Sequence, residues 1–391
     1  MLQSFAKTHK YLLEHLEVPV KRGLMSQVDW NQRLIGIIGA RGVGKTNFLL
    51  DYILSTHGMD KTCLYANLNN LYFSDKTIID FADEFQKTGG KTLVLDQIFK
   101  YPNWAEELIF CYDNFADLQI IYSGSPLMYD NEHDSEISKR AAIYDLKGFS
   151  FREFINYKSG KNFKNHSFSD IIKNHEAISA EIVNEIKPLA YYNDYLHHGY
   201  YPYFLEERNY LENLLKNINF ILEIDISYLQ QIELKYLPKL RKLLFIIAGS
   251  APFQPNISKL SNEVETSRAT IINYLKYLSQ AKLIHLLYEN ESDFLKKPAQ
   301  IYLQNPNLLY SVATGEIEQE ILNKTFLCSQ LHGQKINYCK DADFLINDTF
   351  KFNVKRECSS KPNKENIITA CEMEEIGKGN NIPLWLFGFI S

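Results

Sequence analysis

Residues 33–55 read RLIGIIGARGVGKTNFLLDYILS. An apolar run, Leu34–Ile38, meets a glycine-rich stretch, which opens into a segment whose apolar residues recur at helical spacing. The stretch between them, Gly39-Ala40-Arg41-Gly42-Val43-Gly44-Lys45-Thr46, fits G-x-x-x-x-G-K-[ST] at every position. Glycines let such a loop curl until its backbone N–H groups face phosphate oxygens, and the following helix N-terminus favours the anion. Lys45 is expected to reach the β- and γ-phosphates of ATP, and Thr46 to hold Mg²⁺ through its hydroxyl. Gly39, Arg41, Gly42, Val43, Gly44, Lys45 and Thr46 therefore form the expected nucleotide-binding set. Arg41 would face either phosphate or a partner chain.

Working outward, TCLYANLN at 62–69 predicts the next strand, followed by a helix around Ile78–Gln86 and the strand TLVLD at 92–96. A helix from Trp104, a strand LQIIYSG at 118–124 and a last strand AAIYDLKGF at 141–149 complete the alternation. Continuous apolar strands between helices predict an α/β fold, a parallel sheet covered on both faces. An amino-terminal helix over residues 1–20, stopped by Pro19, belongs to the same domain, residues 1–150.

Asp96 ends its apolar strand and is the expected second Mg²⁺ residue. The next position is Gln97, which can orient a water but cannot accept its proton, so nucleotide binding is expected to be intact and hydrolysis slow. Ser123 ends another strand at a level suited to sensing the γ-phosphate, with Ser125 just beyond. Arg140 follows the acidic stretch Glu132–Glu136. It is read either as an arginine supplied to a neighbouring subunit's nucleotide or as one fixed to a local acid such as Glu136.

From Phe151 the pattern becomes helical, and residues 151–234 predict a helical lid or linker broken at Pro188 and at Gly199–Pro202. Residues 235–290 predict a compact helical unit ending in a hairpin, with a winged helix over 255–289. There Ile257, Leu260 and Val264 line one helix, and Ile271, Ile272, Leu275 and Leu278 the next. As a reader of double-stranded DNA it would present Ser267, Arg268, Thr270 and Asn273 to the major groove. Lys259, Arg268, Lys276 and Lys282 are nearly matched by Glu263, Glu265 and Glu289, so phosphate attraction there is weak. The alternative for this unit is a lid or subunit joint. Residues 291–391 predict a mixed α/β domain, with strands at 336–347 and 349–356 joined by an Asn-Asp turn and a buried terminal strand in IPLWLFGFIS.

The 391 residues carry 42 Lys plus Arg against 47 Asp plus Glu, a formal charge of 42 − 47 = −5, which excludes coating nucleic acid by bulk charge. The six cysteines, Cys63, Cys111, Cys328, Cys339, Cys358 and Cys371, contain no C-x-x-C pair and read as scattered reduced thiols. The amino terminus lacks the apolar run of a signal peptide, and no segment reads as a membrane span; a cytoplasmic protein is expected.

GARGVGKTNFLL, LVLDQIFKYPNWAEEL at 93–108, IIYSGSPLM at 120–128 and LKGFSFREF at 146–154 resemble a group of prokaryotic AAA-like ATPases with a carboxyl-terminal domain of unknown function. Asp96, Lys100, Tyr101, Pro102 and Trp104 carry the match. HHGYYPYF at 197–204 looks like the group's Gly-Gly-x-Pro segment, with His198 replacing the first glycine, and Arg152 with Glu153 lies in a further hallmark. Gln97 departs from the group's glutamate: either the chain is a naturally impaired ATPase, or it carries the glutamate-to-glutamine change that traps ATP. Together the glycine loop, Asp96, Arg140 and the winged helix lead to the expectation of an ATP- and Mg²⁺-binding homo-oligomer, a nucleotide-dependent assembly or remodelling switch coupled to DNA or to a protein partner; the alternatives are a non-hydrolysing ATP-gated scaffold and a DNA-binding defence or mobile-element component. The resemblance also implies a restriction-endonuclease-like core at the chain's end. Asp343 and Lys355 match that core, Glu316 or Glu320 supplies the helix carboxylate, and Asn353 stands where a metal-binding Glu is needed, so no cleavage is expected.

Overall fold

The apolar runs around the glycine loop become one all-parallel sheet. In the computed structural model, which describes residues 2–129, 134–206, 209–289, 297–331, 333–358 and 367–390, the chain forms two units, Met1–Gly148 and Phe149–Ser391.

The first unit begins with α1 (Leu2–Glu14), then alternates β1 (Leu34–Ile38), α2 (Lys45–Thr56), β2 (Cys63–Asn67), α3 (Ile78–Lys87), β3 (Thr92–Asp96), α4 (Trp104–Asn114), β4 (Gln119–Gly124), α5 (Asp134–Ser138) and β5 (Ala142–Asp145). The strand order is β2-β3-β4-β1-β5, and every neighbouring pair is parallel. Leu34, Ile35, Ile37, Leu64, Leu93, Val94, Leu95 and Ile121 are all buried, as expected when helices cover both faces. The carboxyl ends of the strands share one edge. Since β4 lies between β1 and β3, the glycine loop and Asp96 emerge on either side of Ser123.

The expected amino-terminal helix stops at Glu14, because Pro19 excludes helical backbone at Val18 and the last turn unwinds ahead of it. It packs Phe5 against Phe73 and Phe81, and His9 Nδ1 accepts the Tyr65 backbone N–H at 2.9 Å, covering part of the β2 edge. The last strand, expected over 141–149, is only Ala142–Asp145. Its one neighbour, β1, ends at Ile38 opposite Asp145, so beyond that point no ladder holds it extended.

The second unit contains α6 (Phe151–Ser159), α7 (Phe168–Glu185), α8 (Leu189–His198), α9 (Tyr210–Phe220), which runs through π-helical Ile221–Ile226 into α10 (Ser227–Leu229), then α11 (Leu237–Ala248), α12 (Ile257–Glu263) and α13 (Arg268–Gln280). Strands β6 (Ile284–Leu287) and β7 (Gln300–Leu303) pair antiparallel. After α14 (Pro306–Val312) and α15 (Gln319–Gln330) comes a second sheet of β8 (Ile336–Asn337), β9 (Phe344–Ile346), β10 (Phe350–Lys355), β11 (Ile367–Cys371) and β12 (Asn381–Pro383). Its order is β12-β11-β10-β9-β8, antiparallel from β8 to β10 and parallel from β10 to β12. Glu153 completes a capping box with Ser150 at the start of α6, and Arg152 donates to Phe163 O at 3.1 Å and lies 3.8 Å from Glu153.

Three expectations change here. Residues 336–347 hold two short strands rather than one, since polar Lys340 and Asp341 interrupt the ladder. The turn into β10 is as read, with Asn347 and Asp348 both at positive φ. The apolar terminus is buried but is a 3₁₀ helix, Leu384–Phe389, with Trp385, Phe387 and Phe389 fully inside. A continuous apolar run does not separate strand from buried helix. The thiols are not all reduced: Cys371, which ends β11 beside Lys355 of β10, is bonded to Cys358 just beyond β10, their Cα atoms 5.9 Å apart. Among the described residues no helix is long and apolar enough to cross a membrane.

Candidate functional site

The loop between β1 and α2 is shaped by its glycines. Gly42 and Gly44 take φ of 87° and 95°, left-handed backbone that a side chain disfavours. At Gly39 a Cβ would lie 2.3 Å from the Leu146 carbonyl oxygen, so only glycine lets β5 pass this close. Gly44 is the N-cap of α2 and has no side chain with which to cap it. The first-turn N–H groups therefore have no side-chain cap and face the concavity, the arrangement that receives phosphate oxygens. Lys45 Nζ folds over the loop and donates to Gly39 O at 2.7 Å and Ala40 O at 2.9 Å. Arg22 holds the loop from below: it donates to Val43 O at 2.9 Å and to Lys147 O and Gly148 O at 2.6 and 3.1 Å. Arg41 stands half-buried on the loop and Val43 is buried beneath it.

Asp96 is the hub of the site. It is 1 % exposed and accepts donors on both oxygens. Thr46 Oγ1 and the Tyr65 hydroxyl each donate to Oδ2 at 2.7 Å. The Ser123 hydroxyl and the Gln97 N–H, the latter at 3.1 Å, donate to Oδ1. Gln97 N–H also approaches Ser123 Oγ at 3.0 Å. Gln97 itself sits at φ 59°, which costs about 1–2 kcal/mol in a non-glycine residue, a strain met at functional positions. Its side-chain oxygen accepts from Asn69 Nδ2 at 2.6 Å. Burial, and then the nearby Asp96 carboxylate, push ionisation of Tyr65 far above the usual phenol range, so its hydroxyl remains a donor.

The structure thus brings Gly39, Gly42, Gly44, Lys45, Thr46, Asp96, Gln97 and Ser123 together at one sheet edge. Ser125 lies outside this network and accepts the Leu127 N–H at 3.3 Å. Arg140 is elsewhere, just ahead of the amino end of β5, at the opposite edge of the sheet. It is held by Asp113 at 3.1 Å and Glu136 at 3.0 Å; Glu132, at the start of the acidic stretch, lies outside the described residues. Tyr65, Asn69 and Arg22 were not among the predicted site residues. The polar Asn67 and Asn69 after an apolar strand were the available signal for the second of them.

Residues 31–155 match the family described as an AAA domain. The chain carries an AAA domain. A second match, over residues 189–315, is to a domain of unknown function, DUF8612. Two Methanocaldococcus jannaschii proteins are similar in sequence. Uncharacterized protein MJ1637 is 23% identical over 272 residues, 66% of this chain and 57% of that one; the match thus spans little more than half of MJ1637. Uncharacterized protein MJ1544 is 26% identical over 406 residues, 96% of this chain and 83% of that one. Among solved structures, AMPPCP-bound DnaA from Aquifex aeolicus is 12% identical with a TM-score of 0.27, covering 71% of this chain and 87% of that one. The Aeropyrum pernix ORC1 protein in complex with DNA is 11% identical with a TM-score of 0.29, covering 78% and 90%. These scores carry no functional inference.

The second unit holds the other predicted residues. Ser267 caps α13 by accepting the Thr270 N–H at 3.0 Å; Ser267, Arg268 and Asn273 are exposed and Thr270 is half-buried. Leu260, Val264, Ile271, Leu275 and Leu278 are buried, while Ile257 and Ile272 are only partly so. In the second sheet Asp343 N–H donates to Asn353 Oδ1 at 3.2 Å, and Asp343 Oδ2 accepts the Val354 N–H at 2.8 Å. The Lys324 ammonium, only 14 % exposed, lies between Asp343 at 2.8 Å and Glu320 at 2.5 Å. Lys355 is exposed, and Glu316 lies in the connection ahead of α15.

Proposed function

We propose that this chain is an ATP-binding switch whose AAA domain couples nucleotide state to assembly, or to remodelling of a DNA or protein partner. The observation that carries the reading is the Thr46–Asp96 hydrogen bond beside an uncapped helix N-terminus. Two hard oxygen donors stand together where the glycine loop would leave the phosphates, a donor set suited to Mg²⁺. Thr46 and Asp96 would hold the cation, which when bound neutralises charge on the β- and γ-phosphate oxygens. Lys45 would leave the carbonyls of Gly39 and Ala40 for phosphate, while backbone N–H groups of residues 42–46 fix the rest of the chain of phosphates. Ser123 and the Gln97 backbone keep Asp96 oriented. Gln97 offers an amide where a proton acceptor would speed hydrolysis, so turnover is slow. That substitution also favours a second reading, a scaffold gated by ATP without hydrolysis.

The second unit is the proposed output module. Exposed Ser267, Arg268 and Asn273 at the start of α13 support a winged-helix contact with double-stranded DNA over 255–289; a lid or joint toward a protein partner is the alternative. The Lys324–Asp343 pair and Asn353 support a nuclease-like core without cleavage. The active form is proposed to be a cytoplasmic homo-oligomer. Titration of a fluorescent ATP analogue tests the central claim: Mg²⁺-dependent binding is expected in the wild type and its loss in Lys45→Ala. Equal binding by both would reject this site.

A further inference from the structure

Tyr65 lies on β2, which is parallel to β3 and in register with it, Tyr65 beside Val94 and Asn67 beside Asp96. Paired residues on parallel strands point to the same face, so Tyr65 shares a face with Asp96 one two-residue step further along. That step is about 6.6 Å, about the reach of a tyrosine side chain. The ring, 3 % exposed, spans the step and sets its hydroxyl on Asp96 Oδ2 at 2.7 Å. The same oxygen accepts Thr46 Oγ1 at 2.7 Å.

The two donors have different futures. For Thr46 to hold a cation, its oxygen must turn a lone pair there while its proton stays pointed at Asp96, so its hydroxyl serves two partners at once. Tyr65 meets no such demand. It is anchored on its own strand, where its backbone N–H donates to His9 Nδ1 at 2.9 Å. With the Ser123 hydroxyl on the other oxygen, it fixes the plane of the carboxylate independently of Thr46.

We infer that Tyr65 is a positioning residue for the divalent cation: it holds the Asp96 carboxylate in place beside Thr46, so that both oxygens meet the metal in a fixed arrangement. The inference rests on the proposed Mg·ATP reading of this site. Outer partners of metal-binding carboxylates commonly contribute about 10–100-fold in metal affinity.

The test is binding of a fluorescent ATP analogue to the full chain, in EDTA and across a Mg²⁺ titration, for wild type, Tyr65→Phe and Lys45→Ala. Tyr65→Phe keeps the ring in the strand, and its melting temperature in EDTA is measured beside the binding. Affinity in EDTA within about twofold of wild type, with a Mg²⁺ midpoint raised about tenfold, is the expected result. A Mg²⁺ midpoint equal to wild type overturns the inference while leaving the Mg·ATP reading intact. Equal weakening in EDTA and in Mg²⁺ also overturns it, since a packing defect alone acts that way. Absence of Mg²⁺-dependent binding in the wild type removes both.

Discussion

Asn69 Nδ2 donates to Gln97 Oε1 at 2.6 Å, drawing the side chain that follows Asp96 toward the end of β2. An amide in this place can be held but cannot take a proton from water. Gln97→Glu is expected to raise steady-state phosphate release at least about tenfold, about 1.4 kcal/mol in barrier. Release is followed with a coupled assay on the ATP-saturated chain. An unchanged, negligible rate with ATP still bound would favour the gated scaffold over the slowed enzyme.

Arg140 has two acidic partners in its own chain, Asp113 and Glu136. Both are half-exposed, and exposed pairs are readily exchanged in salt solution. If it serves a neighbouring subunit, Arg140→Ala in the Gln97→Glu background should lower turnover at least about tenfold, with ATP affinity unchanged. Light scattering should show an ATP-promoted oligomer. A monomer under every nucleotide condition rejects the assignment and leaves Arg140 as a local clamp.

Duplex binding by the second unit should be weak, salt-sensitive and strengthened by ATP, because charge over 255–289 is nearly balanced and any affinity must come from few side chains or many subunits. Fluorescence anisotropy at two salt concentrations reads this, with Arg268→Ala expected to weaken binding. No binding at low salt by the ATP-loaded oligomer would leave a protein partner as the better reading. Magnesium-dependent nicking lost in Asp343→Ala would contradict the expectation of no cleavage, since Lys324 already engages Asp343 and Asn353 offers no charge.

His9 accepts the Tyr65 N–H through Nδ1 and so must be neutral on that nitrogen. Burial, then the nearby His57, lower its pKa below the ordinary 6.5. The unfolded chain therefore binds the proton more readily. Stability contributed by this contact is complete above pH ~6.5 and is lost as pH falls from there through the folded-state pKa. The melting temperature of the AAA domain should fall between pH 7 and 5. His57, also lowered by burial, adds to the slope. His9→Gln, whose side-chain oxygen can accept without titrating, should flatten it; an identical slope would show that His9 carries none of the dependence.

The glycine loop, Asp96 and Ser123 were legible because each is set by local pattern, a loop between strand and helix or a polar residue ending an apolar run. Tyr65 and Asn69 were not, because parallel pairing of β2 with β3 brings them to partners 31 and 28 residues away. Tyr65 reads in sequence as one more strand aromatic. The Cys358–Cys371 bond was hidden for the same reason: β10–β11 pairing sets Cys371 beside Lys355, three residues ahead of Cys358. The terminal 3₁₀ helix escaped because side chains buried all round leave no periodicity to read.

Arg22 gears two segments of backbone to each other. One guanidinium grips the phosphate loop at Val43 and the last two carbonyls of the first unit, Lys147 and Gly148. The seating of the loop and the heading on which the chain quits the sheet are therefore not independent variables. A loop that shifts around phosphate tugs on the tether leaving β5, and a strain on that tether is felt at the loop. The Arg22 guanidinium is thus the side chain through which a displacement at the loop would reach the backbone that follows β5.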